Sequence, residues 1–490
     1  MPLRLRFLLD TNILIPLQDP FITLTTNLTN FVRLANQGGH QLLYHPASEE
    51  DIQRDTNVDR RNRTLARLPQ YTRLQEGPEC PWNDDTTSLN DACDNRILFA
   101  LESDAAHYLI TEDQKLHAKA RLRGLGERVY FIQTAEDRLR RLHETDQVVL
   151  PNIQDVELHT LTSTLGDTFF DSLRSTYDFD NWFREKARQG RRAWIYRMQD
   201  TGPPSAICIY TVQHDEVIND GGDRLPGPSL KLCTFKVGTE VRGRKIGELF
   251  LRAAFMYATD QKCENIFIHA TPTGQEHLIA LLEDFGFSEA GIYQGDKVYV
   301  KQHPTEAPAM DIPPFDYMKR FYPHYRDDIG IRKFVVPILP QFHGILFPDY
   351  ENPGAALPAN HPSAHVGNAI KLAYLCHTPC KQIRPGDVIL FYRSHDMKAI
   401  TTMGIVEHFE ASNSASDIAR LVSRRTVYSQ QDIEAMAERS TKVILFRLIE
   451  HLPNRVTYSW LQQNQVRGPI QTIRSINNES FSRILRVAGR

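Results

Sequence analysis

The chain has 490 residues, with 57 Lys and Arg against 60 Asp and Glu and a formal net charge of −3. That balance excludes a global polyanion binder and leaves nucleic-acid contact to local clusters such as Arg54, Arg60, Arg61, Arg63, Arg67 and Arg73. The length suggests three to four domains, and 41% hydrophobic residues is ample for several cores.

In chain order, Leu5 to Leu9 reads as an apolar strand ending in Asp10-Thr11-Asn12. Gln41 to His45 is a second strand, followed by Ser48-Glu49-Glu50-Asp51-Ile52 at a helix start. Asp91 to Leu98, with Asp94 inside it, opens a helix that runs to about Ala106. Tyr108 to Ile110 is again a strand and ends in Thr111-Glu112-Asp113. A carboxylate closing a buried strand is costly unless paired or metal-bound. Acids at strand ends and helix starts converge at the carboxyl edge of a parallel sheet. Glu50, Asp51, Asp91 and Asp94 also suit plain helix-start charges that complement the macrodipole.

Over residues 4 to 135 this order resembles the PIN-domain ribonucleases. Asp10 matches their first acid, Asp94 the third and Asp113 the fourth. The second falls on Glu49-Glu50-Asp51, with Asp51 favoured and Glu50 close behind. The resemblance implies an α/β domain over 1–150 whose Asp10, Asp51, Asp94 and Asp113 are both metal-ligating and catalytic, on Mg²⁺ or Mn²⁺. A PIN fold kept for RNA binding without cleavage is the alternative.

The middle third is β-rich. Strands are expected at Val156 to Leu161, Ala193 to Met198, Ala206 to Val212, Leu230 to Val237 and Asn265 to Ala270. Helices are expected at Leu249 to Tyr257 and His277 to Phe285. A Gly286-Phe287 turn and a closing pair around Ile292 and Val298-Tyr299-Val300 follow. Between strand and helix lies Val241-Arg242-Gly243-Arg244-Lys245-Ile246-Gly247-Glu248. Backbone N–H groups and the dipole at a helix start favour a phosphate there, and the two glycines allow close approach. The bland alternative is a basic turn before an amphipathic helix.

This loop and the element order around it are similar to the GNAT acetyltransferases. Arg242 and Gly247 match the first and last positions of their acetyl-CoA loop, while Lys245 stands where that pattern usually has Gly. The resemblance implies an acetyltransferase over 151–302. Its acetyl-CoA contacts are Val237, Arg242, Gly243, Arg244, Lys245, Ile246, Gly247 and Glu248, and its thioester lies where two parallel strands splay apart. The family's acid is often a Tyr on the late helix. Here that helix reads Leu281-Leu282-Glu283-Asp284-Phe285, so Tyr293 and Tyr299 are the nearest substitutes, with Glu283 or water as alternatives.

A Pro- and Ala-rich stretch from His303 to Pro314 reads as the start of a linker over 303–330. Beyond it, strands are expected at Phe334 to Leu339, Gly344 to Phe347, Ala369 to Leu375, Asp387 to Tyr392, Gly404 to Val406 and Val443 to Leu448. A helix is expected at Ser429 to Glu438. Ile383-Arg384-Pro385-Gly386-Asp387 before an apolar strand, then Gly404-Ile405-Val406-Glu407, resembles the PUA-like (ASCH and EVE) barrels over 331–490. That family binds RNA or reads modified bases, which implies Tyr374, Tyr392, Arg393 and Trp460 as RNA contacts, with Lys371, Arg467 and Arg474 near them. For any single aromatic, core packing is the alternative.

Cys376-His377-Thr378-Pro379-Cys380 is the one close cysteine set, and it reads as a turn rather than zinc. Scattered cysteines suit a reducing cytoplasm, and no apolar run reaches a membrane span. The fold class expected is therefore α/β and α+β multidomain: a PIN-like parallel sheet, a GNAT-like mixed sheet and a PUA-like β-barrel. The function expected is acetyl-CoA-dependent N-acetyl transfer to an RNA-linked amine (a tRNA amine would suit) or a protein amine. A toxin or stress-response role is compatible. The alternative is a metal-dependent ribonuclease whose GNAT-like part senses acetyl-CoA without turnover.

Overall fold

The computed structural model describes the chain except residues 1–2, 20–23, 76, 78, 83–87, 144–147, 150–152, 176–177, 199–200, 242–244, 272–274, 352–364, 367–369, 423–424, 426–427 and 465–467. It packs as two units. One is Met1–Thr145 with Ser412–Ser440; the other is Asp146–Val241, Lys245–Ala411 and Thr441–Arg490.

The first unit is built on five strands: β1 (Arg6–Leu9), β2 (Gln41–Tyr44), β3 (Thr72–Arg73), β4 (Tyr108–Ile110) and β5 (Val129–Tyr130). Their order is β3-β2-β1-β4-β5, and every pairing is parallel. Parallel strands need helical crossovers on both faces, so the strands are short, buried and apolar. On one face Leu8, Leu43, Leu98 and Leu109 form the core. Elsewhere Phe7, Tyr108 and Tyr130 stack across β1, β4 and β5, with ring centroids 5.7 Å and 4.7 Å apart. The segment Ser412–Ser440 returns to this unit: Tyr108 Oη and Arg138 both donate to the carbonyl of Ala419, at 3.0 Å and 2.5 Å.

The second unit holds two larger sheets and a two-residue pairing of β6 (Val148–Val149) with β15 (His365–Val366). The first sheet uses β7 (Gln154–Glu157), β8 (Arg192–Tyr196), β9 (Ala206–His214), β10 (Pro228–Val237), β11 (Asn265–Ala270), β12 (Ser288–Tyr293) and β13 (Asp296–Gln302). Its order is β12-β13-β11-β10-β9-β8-β7, and only β10 with β11 is parallel. The strand expected from Val156 to Leu161 stops at Glu157, and Leu158–Thr164 is a 3₁₀ helix. Leu158, Leu161 and Leu165 are spaced to bury one helical side, and that spacing overrides the strand reading.

The other sheet uses β14 (Lys333–Ile338), β16 (Lys371–Cys376), β17 (Val388–Arg393), β18 (Ala399–Ser412), β19 (Thr441–Thr457) and β20 (Arg474–Ile476) in the order β16-β19-β18-β17-β14-β20. Among the described residues no pairing joins β16 to β20, so where the sequence predicts a closed barrel these strands form an open mixed sheet. Gly344 to Phe347, expected as a strand, falls instead in and just after the helix Pro340–Leu346, because Pro340 favours a helix start. The stretch expected as linker carries the helix Pro314–Phe321, whose Tyr317, Met318 and Phe321 are buried. One apolar cluster runs from Trp194, Phe250 and Leu282 to Val335, Leu390 and Phe481, so the two sheets share a core. Among the described residues no helix is long and apolar enough to cross a membrane.

Candidate functional site

In the first unit the strand order reverses between β1 and β4, the place where open α/β sheets form a crevice beyond their strand ends. Asp10 closes β1, and Thr111 to Asp113 follow β4. Asp10 is buried. It accepts from Thr11 N (2.7 Å), Asn12 Nδ2 (2.8 Å) and Thr111 Oγ1 (2.6 Å). Burial, with Asp113 and Asp51 nearby, pushes its carboxyl up to about 6. Burial, then Asp10 and Asp113, pushes Asp94 up to about 7. The hydrogen bonds favour the charged form of Asp10 and are outweighed by its dry surroundings.

The donors suit a hard divalent cation in kind. Their spacing does not: among the described residues no group of three or more His, Cys, Asp or Glu is arranged to hold a metal. Asp113 caps its helix through Lys115 N (2.7 Å) and Leu116 N (3.3 Å). The run proposed for the second acid is spent on arginines: Glu49 pairs with Arg73 (3.0 Å), Glu50 with Arg96 (2.7 Å) and Asp51 with Arg54 (2.9 Å). Thr111 and Asn12, which hold Asp10 in place, were not singled out from the sequence, although both flank the acids that were.

In the second unit β10 and β11 pair in parallel from Ser229 with Asn265 to Leu232 with Ile268. Beyond that level β10 continues to Val237 against β9, past a bulge between Leu232 and Thr234. β11 continues to Ala270 against β13. The strands therefore part, leaving backbone groups on facing edges that a ligand's amides can pair with. Val237 stands at the rim of this split. The helix Ile246–Asp260 starts soon after it, and its N-cap, Lys245, makes no side-chain hydrogen bond to the helix start.

Arg242, Gly243 and Arg244 lie outside the described residues. Lys245 sits at the N-cap in the left-handed region, φ 58°. That conformation is why glycine is usual at this position. Ile246 is buried. A side chain on Gly247 would meet Leu281 Cδ2 at 2.9 Å, so this glycine serves helix packing. Glu248 is buried and its carboxylate accepts from Ile370 N (2.6 Å) and Lys371 N (2.7 Å); it is committed to the second sheet and is corrected from a cofactor contact.

Tyr293 and Tyr299 lie on opposite faces of the sheet, so they do not serve one site together. Tyr293 stacks on His269 with centroids 4.9 Å apart. Tyr299 pairs with Ile268 and packs in the core beneath the helices, where burial and the nearby Glu283 push its phenol up. Three of the four RNA candidates are corrected. Tyr374 is buried and donates to Pro337 O (2.6 Å), Tyr392 is buried, and Arg393 is buried on Asp396 (2.6 Å), so none offers a face for a base. Trp460 is half-buried and packs against the shared core. Lys371 pairs with Asp284 (2.7 Å), Arg474 donates to Gly468 O (3.2 Å), and Arg467 lies outside the described residues. Arg447 was not singled out, though a charge inside the apolar run Val443 to Leu448 was a visible signal; it is almost wholly buried and donates to Asp284 at 2.9 Å.

Residues 156–287 match the family model described as Acetyltransferase (GNAT) family. The chain is similar to the PaiA N-acetyltransferase of Thermoplasma acidophilum in complex with coenzyme A: 11% identity, TM-score 0.23, covering 31% of this chain and 99% of that one. It is also similar to ASCH from Zymomonas mobilis: 14% identity, TM-score 0.24, covering 32% and 94%. No curated protein matches the chain. The family match covers β8 to β11 with their split and the helices Ile246–Asp260 and Glu276–Asp284, and it ends before β12, so residues 156–287 form an acetyltransferase (GNAT) domain within a longer, mixed α/β multidomain chain.

Proposed function

We propose that this chain is an acetyl-CoA-dependent N-acetyltransferase whose cofactor lies in the split between β10 and β11. The carrying observation is that their pairing ends at Leu232 and Ile268 while both strands run on, beside the uncapped start of the helix Ile246–Asp260. In this reading the open strand edges take the amides of the pantetheine arm, and the helix start takes the pyrophosphate. The acceptor is an amine carried by RNA or by a protein. Its nitrogen forms the new C–N bond as the C–S bond breaks, the amine proton leaves to water, and the departing thiolate takes a proton. Tyr299, on the helix side of the sheet, is the proposed donor of that proton.

Calorimetric titration of acetyl-CoA into the full chain tests the reading. One equivalent binds, and Arg242→Ala, which removes a cation from the loop, weakens binding by about tenfold. A wild type that binds no acetyl-CoA ends this reading.

A second reading, a metal-dependent ribonuclease whose GNAT domain senses acetyl-CoA without turnover, is favoured by the raised carboxyls of Asp10 and Asp94. Among the described residues these acids are not arranged around one cation, so this reading requires Asp10, Asp94 and Asp113 to draw together before they could hold Mg²⁺ or Mn²⁺. Mg²⁺-dependent RNA cleavage that Asp10→Asn abolishes supports it; cleavage equal in wild type and variant removes it.

A further inference from the structure

The start of the acetyl-CoA helix is held from outside its own domain. Glu248, in its first turn, is only 7% exposed, and its Oε1 accepts two consecutive backbone N–H groups, those of Ile370 at 2.6 Å and Lys371 at 2.7 Å. Lys245 Nζ donates to the carbonyl of Lys371 at 3.1 Å. Lys371 Nζ donates to Asp284 at the end of the helix Glu276–Asp284, and Asp284 also receives Arg447, both on its carboxylate and on its carbonyl (2.9 Å each). Arg447 reaches Glu407 as well, at 3.3 Å.

Two features make this seam more than domain packing. A carboxylate in the first turn of a helix ordinarily occupies the positive end of the dipole, where it competes with a phosphate. Here the Glu248 charge is matched by two N–H donors of the second sheet, which leaves the helix start to an incoming anion. Lys245 is a non-glycine residue in the left-handed region at φ 58°, a conformation that persists only where the surroundings impose it. The Lys371 carbonyl is such a restraint.

We propose that residues 370–371 at the head of β16 set the shape of the pyrophosphate site, with Glu248 and Lys245 as the positioning residues through which they act. The proposal rests on the acetyl-CoA reading above. The C-terminal sheet is thereby part of the cofactor site, and the affinity for the nucleotide end of the cofactor depends on it. Binding is strengthened when a site is already held in its bound form, so releasing the first turn of the helix at Glu248 weakens affinity without removing a ligand contact.

The test compares coenzyme A with pantetheine, which lacks the pyrophosphate, by calorimetry on the full chain. Glu248→Ala is expected to weaken coenzyme A by about tenfold, the scale of a lost hydrogen bond to a charged group, and to leave pantetheine unchanged. Glu248→Gln, which keeps an Oε1 acceptor, restores most of the loss. Equal weakening of both ligands, or none, overturns the proposal while leaving acetyl-CoA binding in place. A wild type that binds neither ligand overturns the proposal and the acetyl-CoA reading together. If Glu248→Ala does not fold, Glu248→Asp, whose shorter side chain cannot reach Ile370 N and Lys371 N, decides the matter: selective loss for coenzyme A supports the proposal, and unchanged or equal affinities overturn it.

Discussion

Asp10 and Asp94 sit in a crevice dry enough that ionising both is costly. Both carboxyls titrate well above the ordinary 3.8, at about 6 and about 7, so the folded chain holds protons that the unfolded chain has released. A raised folded value means that the stabilisation is fully present below about pH 4 and is lost as the pH climbs through 6 and 7. The first unit is therefore expected to weaken steadily across that window in urea melts. Asp94→Asn removes the charge and is expected to stabilise this unit at pH 8 by roughly 2 kcal/mol, half of what an isolated shift of this size implies, because Asp94 is partly exposed and titrates together with Asp10. At pH 3.5, below the ordinary carboxyl value, the variant and the wild type should coincide. An Asp94→Asn chain no more stable than wild type at pH 8 would show that the crevice is wetter than its geometry implies.

Among the elements, the turn after Glu276–Asp284 is the tightest. Gly286 has φ 83°, and a Cβ there would collide with the backbone carbonyl of Lys319. Gly286→Ala is expected to cost roughly 2–4 kcal/mol, the left-handed penalty plus a clash with backbone that has nowhere to go, read as a lowered melting point of the second unit. This turn was legible because Gly-Phe after an apolar helix signals a helix end. So were β1, β4, β10 and β11, as short apolar runs with polar stops. The misplaced elements share a cause. Where proline or a three-residue leucine spacing set the local geometry, as at Pro340 and at Leu158 to Leu165, an apolar run was mistaken for a strand. The site was legible in part. Charged residues at strand ends stood out, but their partners did not. Glu248 meets residues 122 and 123 positions away, and Arg447 reaches Asp284 163 positions away, so no local pattern marks either contact. Tyr374 and Tyr392 failed as base platforms for the reverse reason: aromatic residues in apolar strands are usually core, and here they are.

For the whole molecule, two units with separate cores carry two different proposed ligands, and mass action keeps their effects apart. A ligand that binds only the folded form of one unit stabilises that unit by about 2.7 kcal/mol at a hundredfold excess over its dissociation constant. Scanning calorimetry of the full chain should therefore show two transitions. Acetyl-CoA is expected to raise one by about 5 °C and leave the other in place. On the ribonuclease reading alone, which requires the acids to draw together on a cation, Mg²⁺ would move only the transition that is also sensitive to pH between 4 and 7. That shift should vanish in Asp94→Asn. The segment Ser412–Ser440 gives the experiment its discriminating power: it leaves the second unit after β18, contributes the Ala419 carbonyl to Tyr108 and Arg138, and re-enters at β19. If that exchange of chain locks the units into one cooperative block, a single transition will respond to both ligands at once, and the treatment of the acidic crevice and the acetyl-CoA split as independent sites fails.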